Sequence, residues 1–225
     1  GDGLFLGALA FGMDNTVLLP PFVPMGRGQD TVFGEMLWEC VPDAFLGCPP
    51  VAIYHDSPGF RRVIPWSEVM TEAIDELYGF FVGQLSVAGA FPKGAETQQA
   101  LTSFGRHLQF VGSLPVGEFA AILRNTFRQS LSWQAMGIER RLEQGIMPGP
   151  VAAEAARYAE WISNLAGTSD GRFPFETCAG ARPSEVMDVL RGIVRRFGEG
   201  LVAWPALFQA AGVLRRKGVQ PGVKF

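Results

Sequence analysis

The sequence predicts a mainly α-helical protein with a short α/β segment in front of an all-helical domain. Three observations carry that prediction. Residues 1 to about 60 are rich in Gly, Pro and aromatics. Beyond Pro65 apolar residues recur at spacings of three and four, the period of a helix with one buried face. Prolines and glycines then sit where helices should start and stop.

In the first segment, "LFLGALAF" and "VAIYH" are short apolar runs bounded by turn residues and read as buried strands. Between them, "LLPPFVPMGRGQDTVFGEML" leads into a helix. Pro20, Pro21 and Pro24 hold the chain extended and remove donors, and Gly26 and Gly28 around Arg27 permit backbone angles other residues avoid. Asp30 stands before Val32, Phe33, Met36 and Leu37, which form one apolar face, so Asp30 is the expected N-cap. From residue 63 onward helices are expected at about 66–83, 96–112, 116–144, 149–166, 183–198 and 201–217. Pro115, Gly149 and Pro183 mark helix starts, Gly145 and Gly167 mark stops, and Phe119, Ile122, Leu123, Phe127 and Leu131 trace the buried stripe of the longest helix. The boundary between the two parts falls near residues 60–65, giving segments 1–62 and 63–225. "AGTSDGRFPFETCAGARP" is the longest expected loop.

Composition narrows the function classes. The chain has 225 residues, 48% of them hydrophobic and 18% charged, with a net charge of -3. That balance offers no electrostatic surface for nucleic acid. The longest apolar runs fall short of the roughly 20 residues that span a bilayer, although an exposed amphipathic face is able to make peripheral contact with a membrane. The N-terminus carries no charged region of the secretory type, so a soluble cytoplasmic location is the expectation. Cys40, Cys48 and Cys178 lack metal-ligand spacing and read as reduced thiols in or near the core. The spacings of a P-loop, a dinucleotide fingerprint and a serine-nucleophile elbow do not occur, and His107 reads as structural.

The stretch "GMDNTVLLPPFVPMGRGQDTVFGEML", followed by "PPVAIYHD", resembles the acceptor-side half of GT-A glycosyltransferases of the family 2 type. The resemblance covers about residues 12–60. It implies that Asp30 is the base that deprotonates the acceptor hydroxyl, with Arg27 and Gln29 near the acceptor or the sugar diphosphate. It further implies that His55 helps hold a divalent metal, Mg²⁺ or Mn²⁺, and that Arg61 and Arg62 meet phosphate oxygens from a mobile loop. Partners would be a nucleotide sugar and a hydroxyl acceptor. The family usually has Glu where this chain has Gln29, and its Asp-x-Asp motif does not occur in these residues. The resemblance therefore implies the C-terminal portion of a longer transferase. Each of these residues also has a plainer reading: Asp30 as a helix cap, His55 as a structural histidine, Arg61 and Arg62 as a solvated pair, Asp14-Asn15 as a turn. The alternative comes from a different class, a non-catalytic helical interaction or regulatory domain with the Pro-rich segment packed against its bundle.

Overall fold

A computed structural model describes residues 13–24, 28–41, 44, 78–88, 96–167 and 183–219. Six helices follow one another in these residues: α1 Gln29–Cys40, α2 Tyr78–Ala88, α3 Thr97–Ser113, α4 Val116–Glu143, α5 Gly149–Gly167 and α6 Pro183–Arg216. The mainly helical reading holds. The α/β segment receives no support, because the described part of residues 1–62 is an irregular stretch and one helix, with no strand. The two expected strands, in residues 4–11 and 51–55, lie outside the described residues.

Three helices begin or end on the predicted punctuation. Pro115 precedes α4, Gly149 opens α5 and Pro183 opens α6. After α4, Gly145 takes φ +66°, and its amide N–H donates to the Leu142 carbonyl at 3.0 Å. That left-handed residue ends the helix by turning the chain back, which only glycine does without strain. Two boundaries are corrected. The helix expected at about 66–83, whose residues 66–77 lie outside the described residues, runs on to Ala88. The expected break between helices 183–198 and 201–217 does not exist, and α6 runs unbroken through Gly198 and Gly200.

The reason lies in the α3–α6 contact, the most extensive of the fold. Gly105 faces Gly198, Leu201 and Val202, and Gly112 faces Arg191 and Arg195, so the two helices run antiparallel. A Cβ on Gly198 would stand 2.5 Å from the Gly105 carbonyl oxygen, and one on Gly105 would stand 2.7 Å from the Gly198 carbonyl oxygen. The glycines let two backbones touch, and in this helix Gly198 marks a close approach instead of a stop.

Around this seam lies the main core. Leu101, Phe104, Leu108 and Val111 of α3 meet Val194, Phe197 and Leu201 of α6, joined by Phe80, Phe81 and Leu85 of α2 and Phe119 and Leu123 of α4. Phe81 meets Phe197 edge-on at 5.3 Å between ring centroids. Val23, Val32, Met36 and Cys40 belong to the same cluster, so the Pro-rich stretch and α1 are built into the helical body. Burying each such side chain contributes about 1.5–3 kcal/mol.

At 28 residues, α4 is about 42 Å long and outreaches this core. Its second half pairs with α5 around a smaller cluster of Leu131, Ala135 and Ile162, flanked by Phe127, Tyr158 and Trp161. The result is a helical hairpin extending from the main body.

Candidate functional site at the start of the first helix

The site predicted from sequence is built where the Pro-rich stretch enters α1. Leu19 is fixed from a distant part of the chain: the Trp204 indole N–H of α6 donates to its carbonyl at 2.6 Å. Three residues on, the Phe22 ring stacks on Phe33 of α1, with centroids 4.3 Å apart and planes 10° from parallel. Val23 is buried. The stretch therefore approaches the helix held at both the backbone and the side chains.

Asp30 does not cap the helix. Gly28 takes that position at φ 74°, ψ 15°, and its carbonyl accepts the Val32 amide N–H at 3.1 Å. A left-handed residue is available to Gly at almost no cost, so the chain turns into the helix two residues earlier than a side-chain cap at Asp30 would place it. Asp30 then lies in the first turn. Its Oδ1 accepts the Thr31 N–H at 3.0 Å. A carboxylate is favoured there by the dipole and by amides that the helix itself leaves unpaired.

Gln29 is exposed and precedes Asp30 in the same turn, and Asp30 is half-buried. The structure thus brings these two predicted residues together. Arg27, His55, Arg61 and Arg62 lie outside the described residues. Among the described residues no group of three or more His, Cys, Asp or Glu side chains is placed to hold a metal ion. The Asp14-Asn15 turn is as expected, with Asp14 Oδ1 accepting both the N–H and the hydroxyl of Thr16 at 2.9 and 2.6 Å. Those bonds lower the Asp14 pKa.

Two groups on α1 acquire unusual chemistry from burial. Glu35, half-buried, has its pKa raised by desolvation and, secondarily, by the Glu39 charge. The Cys40 thiol is pushed up to about 12, again first by burial and then by Glu39. That makes it an inert core thiol, as the sequence predicts. Cys48 and Cys178 lie outside the described residues. The sequence offers no motif that singles out Glu35.

His107 is structural in a specific way. Its Nε2 lies 2.9 Å from Gln84 Oε1, and the Gln84 amide donates to the Thr126 hydroxyl at 2.9 Å. This line of polar groups joins α2, α3 and α4, and Gln84 and Thr126 are both buried. Satisfying them inside the core avoids the 1–3 kcal/mol that a buried unpaired group typically costs. Burial also lowers the His107 pKa.

With this geometry in view, similarity to known proteins adds no assignment: no family model, curated protein or solved structure matches the chain.

Proposed function

We propose that the chain is the acceptor-side, C-terminal portion of a glycosyltransferase, with Asp30 as the base. The observation that carries this reading is the delivery of one carboxylate to the first turn of α1, on a Pro-rich stretch anchored at Leu19, Phe22 and Val23. A base must be held within hydrogen-bond reach of the proton it removes, and a tethered approach restricts where that point lies. In the reaction the acceptor oxygen bonds to the anomeric carbon as the bond from that carbon to the nucleotide diphosphate breaks. The hydroxyl proton passes to Asp30, and the diphosphate leaves. Arg27, Gln29, Arg61 and Arg62 bind acceptor or phosphate oxygens in this reading. Mg²⁺ or Mn²⁺, when bound with help from His55, supplies positive charge beside the leaving diphosphate.

The test is Asp30→Asn in the full natural reading frame, assayed with UDP and GDP sugars and Mn²⁺. Loss of about 10²–10⁴ in rate is expected for a positioned base. Full activity in the Asn variant would end the assignment.

A second reading, a non-catalytic interaction domain, is favoured by one observation. On the α4–α5 hairpin, Trp133 and Met136 lie three residues apart on α4 and are both largely exposed. Large apolar groups on one helix face are a recurrent feature of docking surfaces. Absence of any transferase activity in the full reading frame would favour this reading.

A further inference from the structure

Pro205 divides α6 into two halves of different character. Before it, Val186, Leu190, Val194, Phe197 and Leu201 are buried in the core. After it, every residue from 206 to 219 except Phe208 and Gly212 is exposed. Those two, with Leu201, Trp204 and Pro205, lie on the face turned toward the N-terminal stretch. There Phe208, Gly212 and Arg216 line a groove of about 730 Å³ with Asn15 and Thr16, and the Trp204 indole reaches Leu19.

The opposite face is left open. At about 100° per residue, Ala203, Ala206, Leu207, Ala210 and Leu214 fall on one strip, with Lys217 in line with it just past the helix end, whereas Arg215 and Arg216 fall toward the groove that both line. Leu207 and Leu214 are about half exposed. Arg215, which donates to Asn15 Oδ1 at 3.4 Å, is itself exposed, as are Arg216 and Lys217. No Asp or Glu occurs from residue 200 to 225, in a chain whose acidic residues outnumber its basic ones by 22 to 19. Charge is therefore segregated: three exposed cations close the helix end past the apolar strip, with no acid in the same segment.

From this combination we infer that the distal half of α6 is a docking face for an anionic lipid bilayer. The apolar strip enters the boundary between headgroups and acyl chains. Lys217 at the end of the strip, and Arg215 and Arg216 through their long flexible stems, reach lipid phosphates. The helix lies in the interface and does not cross it. Although residues 184–216 are long and apolar enough by composition to span, the first half is committed to the core. The free apolar strip, residues 203–214, is about 18 Å long against a hydrocarbon thickness of about 30 Å. An anionic surface is favoured over a neutral one because each Lys or Arg near such a surface strengthens partitioning about fivefold. The inference rests on α6 alone and is independent of the sugar-transfer reading.

The experiment is co-sedimentation with vesicles of phosphatidylcholine alone and of phosphatidylcholine with phosphatidylglycerol, at low and high salt. Wild-type chain is expected to bind the anionic vesicles and to lose most of that binding in high salt. The triple variant Arg215→Ala, Arg216→Ala, Lys217→Ala is expected to bind roughly 100-fold more weakly. Leu207→Gln with Leu214→Gln should also lose binding, while circular dichroism shows unchanged helix content. Equal binding to neutral and anionic vesicles, or no binding to either, overturns the inference. So does a concentration-dependent dimer that the Gln variant abolishes while wild type ignores vesicles, because the strip would then be covered by a second copy.

Discussion

Replacing Gly198 with Ala tests whether the antiparallel contact of α3 and α6 depends on backbone proximity. The new Cβ would lie 2.5 Å from the Gly105 carbonyl oxygen, 2.8 Å from the Gln109 amide nitrogen and 3.0 Å from Leu108 Cβ. Ordinary contact begins near 3.4 Å, so the helices must separate by about 0.9 Å or bend. The first two obstacles are backbone atoms of a helix and cannot rotate aside. A gap of 0.5–1 Å forfeits about a quarter to a half of each dispersion contact across the seam, and overpacking of this kind costs about 1–3 kcal/mol. Acting against this is the preference of a helix interior for Ala over Gly, about 1 kcal/mol. Gly200, two residues on, isolates that preference, since nothing lies within 4 Å of a Cβ there. Gly200→Ala should therefore stabilise by up to about 1 kcal/mol, while Gly198→Ala, net of that preference, destabilises by up to about 2 kcal/mol. Urea unfolding followed by circular dichroism measures both. In thermal melts the expected shifts are up to about 2–4 °C upward for Gly200→Ala and up to about 4–8 °C downward for Gly198→Ala, at 2–4 °C per kcal/mol for a chain of this size. Equal stabilisation by the two substitutions would refute the close contact.

Three further outcomes follow from the buried groups. Because burial depresses the His107 pKa, the unfolded chain binds the extra proton between the folded value and 6.5, so stability should fall as pH drops through that window; His107→Gln should flatten that part of the pH–stability curve. Glu35 has the opposite sign: its raised pKa means the folded state holds a proton longer, so stability is lost as pH rises above 4.5. Glu35→Gln should then be more stable than wild type at pH 7 and show no such advantage at pH 4. Finally, with Cys48 and Cys178 changed to Ser, the remaining Cys40 should fail to react with a thiol reagent in the native protein and react stoichiometrically in denaturant. Rapid native labelling would contradict its placement in the core.

Much of the helical part is readable because the determinants are local. The ends of α4 and α5 follow from Pro115, Gly145 and Gly149. The stripe of Phe119, Leu123 and Leu131 is buried as the three-and-four spacing predicts, with Ile122 and Phe127 partly buried beside it. Reading fails where a residue answers to something distant. Gly198 suggests a helix end when viewed with its neighbours, yet it is required by Gly105 of another helix. Asp30 looks like a cap by composition, but Gly28 reaches the left-handed region more cheaply and takes the position. The carboxylate and its helix are predictable from the stretch, whereas the pinning of Leu19 by Trp204 leaves no local trace.

That pin joins residues 185 positions apart, which has a consequence for biosynthesis. At about 5–20 residues per second, Leu19 is synthesised roughly 10–40 s before Trp204. During that interval Val23, Val32 and Met36 lack the α6 side of the core that they share in the finished fold. The pin on Leu19 thus forms only once α6 is present, and truncations that remove Trp204 would leave the approach to the Asp30 turn without its distant anchor.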